Sequence, residues 1–272
     1  MQIGTAAPST EELAAAKHHF IHHKSIKDNY NVGTYEKDAL NCLNTLFKTY
    51  KVVIMVGGSG LYIDAVTKGL DEFPEVNASI RENLNEELEK NGLASLQNKL
   101  KELDKTSYNT IAIDNPHRVI RALEICIGTQ KPYSSFLNKE KLKRPFKTII
   151  IGLTANRDII YDRINQRVDI MMEEGLLKEA KKLYPYKSLN ALKTVGYKEL
   201  FNYFDGIWTL DFAVSEIKKN TRRFAKRQLT WFRKDKSIVW FNYKISSEII
   251  IEELNKLYNN NSFILIILLL QF

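Results

Sequence analysis

Three clusters in this 272-residue chain have the residue types and spacing to do chemistry. The first is Val56-Gly57-Gly58-Ser59-Gly60. Glycines let backbone approach a ligand closely, and helix-start N–H groups joined by the Ser59 hydroxyl offer donors to a phosphate. The same residues would also make an ordinary tight turn. The second cluster is Arg118 and Arg121 in NPHRVIRALEI, on one helical face at i, i+3, with Val119, Ala122, Leu123 and Ile125 toward a core and Pro116 in the first turn. Two parallel guanidinium groups suit phosphate oxygens, and they equally suit salt bridges to acids such as Glu124.

The third cluster is basic. Residues 218–236 hold nine Lys and Arg and one acid, Asp235, a net of +8 that equals the formal charge of the whole chain. Lys218, Arg222 and Lys226 form one i, i+4 row and Lys219, Arg223 and Arg227 the next, a stripe facing away from Ile217, Phe224 and Trp231. Most charge runs are solvated faces. Six cations on adjacent rows, with no acid between 218 and 234, repel one another without a polyanion, which points to nucleic acid. The histidines of HHFIHH (His18, His19, His22, His23) place 18 and 22 on one helical face. They lack the Cys or acidic partners of a zinc site and read as an exposed helix. The pattern G-x-x-x-x-G-K-[ST] occurs nowhere, so the chain carries no Walker loop of its own.

These residues need elements to position them. Ser9-x-x-Glu12 has capping-box spacing and starts a helix. Tyr35, Ala39, Leu40, Leu43, Leu46 and Phe47 recur on one face of a helix over residues 34–50. The β-branched run over 52–56 reads as a buried parallel strand that ends at the glycines and leads into a helix. From about 77 to 130 the pattern is helical and Leu-spaced. Strands follow at 147–153 and 238–241, with helices from Arg157 between them. The organisation expected is an α/β core over 1–76 and 147–258, a helical insertion over 77–146 and an atypical apolar tail over 259–272.

Composition bounds the rest. With 44% apolar and 26% charged residues, 12 Gly and 6 Pro, the chain is not disordered or collagenous. Two cysteines, Cys42 and Cys126, exclude a disulfide framework and fit a reduced cytoplasmic protein. The first twenty residues lack a secretory pattern. The run of eight apolar residues over 263–270 falls far short of the ~20 that span a bilayer, leaving a buried strand, a sticky tail or an aberrant end.

Taken together, MQIGTAAPS, VGGSGLY, DNPHRVIRALEI, RINQRV, LKTVGYKEL and NTRRFAKRQLTWFR resemble the bacterial tRNA dimethylallyltransferase (IPP transferase) family from residue 1 to about 240, in family order. The resemblance implies a P-loop NTPase-like parallel-sheet core with an all-helical insertion and a helical C-terminal half. It implies transfer of a dimethylallyl group from dimethylallyl diphosphate to N6 of adenosine 37 in tRNAs reading UNN codons, with Mg²⁺ assisting, by a protein that is a monomer when intact. By resemblance, Thr5, Gly57, Gly58 and Ser59 bind substrate, with Ser59 standing where the family usually has Thr at the reacting centre. The tRNA contacts carried over are Arg81, His117, Arg118 and Arg121, then Lys193, Thr194, Gly196, Tyr197 and Lys198, then Arg223, Lys226, Arg227, Gln228, Thr230, Trp231 and Arg233.

The chain departs from that family in one respect. A first strand, the GPTxxGK[ST] loop and a D-S-x-Q-x-Y segment with the catalytic Asp precede the IGTA motif in the family, and none lies within these 272 residues. The expectations are weak tRNA binding, negligible turnover, and poor solubility from sheet edges left open by a missing central strand. The competing readings are a non-catalytic RNA-binding remnant and, against the motif set, a nucleotide or shikimate-type kinase relative.

Overall fold

The computed structural model describes residues 1–137, 143–258 and 262–269. It divides into two compact units, Met1–Thr67 with Arg144–Phe272, and Lys68–Lys143. The expected insertion is thus a unit of its own, with boundaries at 68 and 143 in place of 77 and 146.

The first unit is built on four parallel strands, β1 (Val52–Gly57), β2 (Lys147–Thr154), β3 (Val239–Asn242) and β4 (Ile264–Leu269), in the order β1-β4-β2-β3. The C-terminal apolar run is therefore an interior strand, which corrects its reading as a separate tail. It pairs with β1 from Val52↔Ile264 to Gly57↔Leu269 and with β2 from Lys147↔Ile264 to Gly152↔Leu269. A strand flanked on both sides and covered on both faces must be apolar at every position, and Ile264, Leu265, Ile267 and Leu269 are all buried. The expected open sheet centre does not exist, because β4 satisfies the ladders of β1 and β2 at once. Openness is confined to the edge: Val52, Ile54 and Val56, on one face of β1, are exposed.

One sheet face is packed by helix α2 (Val32–Leu46), capped by Asn31 accepting from the Thr34 N–H, and by α3 (Gly60–Lys68). Ala39, Leu43, Phe47, Ile63 and Val66 meet Ile150, Leu265, Ile267 and Leu269 there. Helix α1 (Thr10–Ala15) starts at the Ser9–Glu12 capping box as expected, but it ends at Ala16 and residues 17–31 are not helical. His18 and His22 therefore share no helical face; their rings bond to the carbonyls of Ala16 and Met1.

The second unit holds α4 (Ala78–Leu103), broken at Gly92 where φ is +75°, α5 (Lys105–Thr110) and α6 (Pro116–Thr129). Leu84, Leu96, Leu100, Val119, Ile120 and Leu123 form its core. Buried Asp104 accepts from the amide and hydroxyl of both Ser107 and Ser134, joining α5 to the segment after α6. The remaining helices, α7 (Arg157–Glu173), α8 (Leu176–Leu183), α9 (Tyr197–Phe204), α10 (Leu210–Phe232) and α11 (Ser247–Leu257), belong to the first unit. No helix of the described residues is long and apolar enough to cross a membrane.

If β4 is the central strand, truncating one of its core side chains is costly. Ile267→Ala should destabilise by about 2–5 kcal/mol in urea unfolding, whereas Ile249→Ala on the exposed face of α11 should cost under about 0.5 kcal/mol. Equal midpoints for the two variants would place the strand elsewhere.

Candidate functional site

Two of the three clusters, the glycine turn and the basic segment, meet at α10, whose Thr209 cap accepts from the Phe212 N–H. Its inner face is Ala213, Ile217, Ala225 and Phe232, all buried. Ile217 packs with Leu200 and Tyr197, and Ala225 with Ile160 and Ile164 of α7. Phe224 and Trp231 are not on that face: they are 44% and 41% exposed, and the Arg227 guanidinium lies 5.6 Å from the Phe224 ring centre. Phe224 and Trp231 thus sit among the cations, while Phe232 is the one aromatic of α10 that is buried.

The six cations are not equivalent. Lys218 pairs with Asp169 at 2.6 Å and Lys219 with Glu216 at 2.7 Å, so part of the expected repulsion is relieved by acids outside the two rows. Arg222 donates to Asn165 Oδ1 at 2.6 Å. Arg223, Lys226, Arg227 and Arg233 are exposed and have no acidic partner among the described residues. The uncompensated charge is therefore concentrated in the C-terminal half of α10 and just beyond it.

That same half grips the glycine turn. Gln228 Nε2 donates to the Gly58 carbonyl at 2.7 Å, and the Trp231 indole N–H donates to Asp64 Oδ2 at 2.9 Å. A methyl group added at Gly60 would lie 2.5 Å from Trp231 Cδ1, so the indole sits directly on that backbone and only glycine fits. Ser59 is exposed, at the carboxyl end of β1, and its carbonyl accepts from the Ile63 N–H to begin α3. Ligands of open α/β sheets bind at such strand ends. Gln228 and Trp231 thus face the turn, while Thr230, also exposed, returns its hydroxyl to the Lys226 carbonyl.

A second junction holds the other motifs. Glu179 of α8, which sequence reasoning did not single out, accepts from the amides of Gln2, Ile3 and Gly4 and from the Tyr197 hydroxyl at 2.6 Å. Burial pushes its carboxyl up, but the Tyr197 hydroxyl and the three amides outweigh this and hold it below the ordinary glutamate value. Tyr197 is fully buried, and a Cβ at Gly4 would lie 2.5 Å from its ring. Its side chain is therefore core, which removes it from the expected RNA contacts. Gly196 is buried too and donates to Glu199, which also accepts from Asn220 of α10 at 2.9 Å. Lys193, Thr194 and Lys198 remain exposed around this loop. Thr5 is exposed, and its hydroxyl donates to the Met1 and Gln2 carbonyls of its own turn.

In the second unit, Arg81 and Arg121 converge on the buried Glu124, at 2.7 and 2.9 Å. Burial raises the Glu124 carboxyl, but the two arginines more than reverse this and leave it below the usual range. The salt-bridge reading thus holds for Arg121, although both guanidinium groups stay partly exposed. His117 and Arg118 are exposed.

Arg167, within RINQRV, also escaped sequence reasoning. It has no acidic partner among the described residues, and burial lowers its pKa. A partly desolvated guanidinium without an acidic partner is suited to an anion, and nothing in the residues around Arg167 marked it in the sequence. Among the described residues no group of three His, Cys, Asp or Glu side chains could hold a metal ion.

The Glu179 junction gives a pH test. A depressed carboxyl contributes stability that is present above its ordinary value of 4.5 and lost as pH falls through the lower folded value. Glu179→Gln should cost about 1–3 kcal/mol at neutral pH and make the acid-side decline shallower, measured by urea unfolding across the acid range. An unchanged acid limb would remove Glu179 from this role.

Comparison with known proteins gives the family of the chain. The IPP transferase family profile matches residues 1–235. The chain is 60% identical to the tRNA dimethylallyltransferase of Christiangramia forsetii, over 95% of this chain and 86% of that protein, and 58% identical to that of Flavobacterium psychrophilum, over 94% and 85%. The full-length tRNA isopentenylpyrophosphate transferase of Bacillus halodurans superposes with a TM-score of 0.64 at 36% identity, covering 94% of this chain and 81% of that one. A eukaryotic dimethylallyltransferase acting on tRNA shares the fold, with a TM-score of 0.77 at 22% identity over 96% and 71% of the two chains. A profile match over most of the sequence, with relatives at 58–60% identity over 85–86% of their length, establishes that the chain belongs to the IPP transferase family.

Proposed function

We propose that the protein prenylates tRNA, moving a dimethylallyl group from dimethylallyl diphosphate to N6 of adenosine 37 in tRNAs that read UNN codons. In this reaction the N6–C1 bond forms, the bond from C1 to the diphosphate oxygen breaks, and N6 gives up a proton. The observation that supports this reading most is the direct contact of Gln228 and Trp231 with the glycine turn. It sets a cationic, aromatic-bearing surface against a corner of phosphate-binding type.

An enzyme that alkylates a base edge must take the nucleotide out of its stack and hold the flanking backbone. Arg223, Lys226, Arg227 and Arg233 supply the charge for the anticodon stem-loop, and Phe224 offers a face for stacking. Because N6 is a weak nucleophile, rate depends on stabilising the departing diphosphate. Ser59, the Gly57–Gly58 backbone and Arg167 are this chain's candidates for that task, and Mg²⁺, which binds largely through phosphate oxygens, would accompany the diphosphate. The protein would act as a cytoplasmic monomer.

The second reading is an RNA-binding protein without turnover, supported by the exposed cations Arg223, Lys226, Arg227 and Arg233, which can hold RNA without any chemistry. Incubation with dimethylallyl diphosphate, Mg²⁺ and unmodified tRNA separates the two readings. Prenylated tRNA is expected from a version extended with the GPTxxGK[ST] loop and the D-S-x-Q-x-Y segment and hardly at all from the 272 residues alone. In the extended version Ser59→Ala should lower turnover about 10- to 1,000-fold, the range for removing one transition-state donor, while Ser59→Thr keeps it. No product from the extended version leaves the non-catalytic reading standing.

Binding gives an independent check. Replacing both Arg223 and Arg227 by Ala should flatten the slope of log affinity against log salt by about 0.7–0.9 for each phosphate that the variant no longer neutralises. An unchanged slope would exclude these side chains as partners of the RNA backbone.

A further inference from the structure

Beyond the exposed half of α10, a second group of cations is organised around one aromatic ring. Arg157, the first residue of α7, has its guanidinium carbon 4.9 Å from the centre of the Tyr161 ring, and that of Arg222 lies 5.8 Å from the same centre. Asn165, one turn further along α7, accepts from Arg222 at 2.6 Å. Tyr161 and Asn165 thus fix Arg222 from two successive turns, and Tyr161 is shared with Arg157.

Neither arginine has an acidic partner among the described residues. Asp158 and Asp162, which are exposed on the same helix, form no ion pair with either. An arginine laid on an aromatic ring loses much of its rotamer freedom, so less entropy is lost when an anion binds; Arg222 gives one donor to Asn165 and keeps the others. The two guanidinium carbons lie 4.9 and 5.8 Å from one ring centre, so both charges belong to one small neighbourhood that an oxyanion would neutralise. The location also fits. Arg157 follows β2, which ends at Thr154, on the ligand-binding edge of the sheet, and Arg222 lies one helical turn before Lys226 on the same row of α10.

We propose that Arg157 and Arg222, shelved on Tyr161, form a further phosphate-binding site, whose phosphate comes from the RNA backbone or from a diphosphate. The RNA source rests on the reading given above; the diphosphate source does not. The protein would be titrated with inorganic pyrophosphate, and separately with an anticodon-type RNA hairpin at several salt concentrations, using wild type, Arg157→Ala and Arg222→Ala. Arg157 is exposed and its removal leaves the core intact, so it keeps the test valid if Arg222→Ala unfolds.

For an RNA-backbone phosphate, each variant should reduce the salt slope by about 0.7–0.9. For a diphosphate, each should weaken pyrophosphate binding about fivefold or more, in line with removal of one charge-assisted pair. Either result supports the site and names its source. Wild-type binding of both probes that neither variant alters overturns the site alone. A wild type that binds pyrophosphate, weakened in the variants, but no RNA keeps the site and overturns the RNA reading. Failure to bind either probe overturns both.

Discussion

The first unit depends on α10 being in contact with everything that matters at once. Its N-terminal half is tied through Asn220 to Glu199, and thereby to the amide of Gly196. Its middle is tied through Arg222 to Asn165 of α7, and its last turns, through Gln228 and Trp231, to the glycine turn and α3. The Gly58 carbonyl, just before α3, accepts from the Gln228 side-chain amide at 2.7 Å. Because the helix is continuous, a displacement at its cationic end cannot leave the turn unmoved. RNA contact and turn geometry are one mechanical problem here.

The sheet imposes the companion constraint. With β4 between β1 and β2, the carboxyl ends of β1 and β2, from which the glycine turn and α7 depart, are held apart by one strand width in a fixed register, Gly57↔Leu269↔Gly152. The spacing between the turn and the start of α7 is thus set by an element contributed from the far end of the sequence. Stability of the sheet and geometry of the site are coupled through that strand.

Much of this was legible in the sequence, for identifiable reasons. α2 and α6 follow from periodicity, since each buries one face, β2 follows from its β-branched run, and the Ser9–Glu12 box forms as its spacing requires; β1 forms where its β-branched run lies, but as an edge strand with Val52, Ile54 and Val56 exposed it is not the buried strand expected. What was hidden depends on tertiary partners. A short apolar run reads the same as core strand or loose end until its neighbours are known, so the place of Ile264–Leu269 could not be deduced. Phe224 lies opposite the two cationic rows by spacing, yet the close contacts of the helix are made by Ala225 and Ile217. Glu179 looked like one more surface glutamate in a Lys-rich helix; its four donors come from the first residues of the chain and from α9. Tyr197 was legible as part of a motif, but not as the buried half of that junction.

The central claim is that the cationic end of α10 and the glycine turn respond together. Hydrogen exchange of the backbone amides, followed by mass spectrometry with and without unmodified tRNA, tests it directly. The account predicts that RNA slows exchange in the peptides covering residues 57–63 and 223–233 together, and that Trp231→Phe uncouples them, with protection kept in the second and abolished in the first. Protection confined to the α10 peptide in the unaltered protein would contradict it.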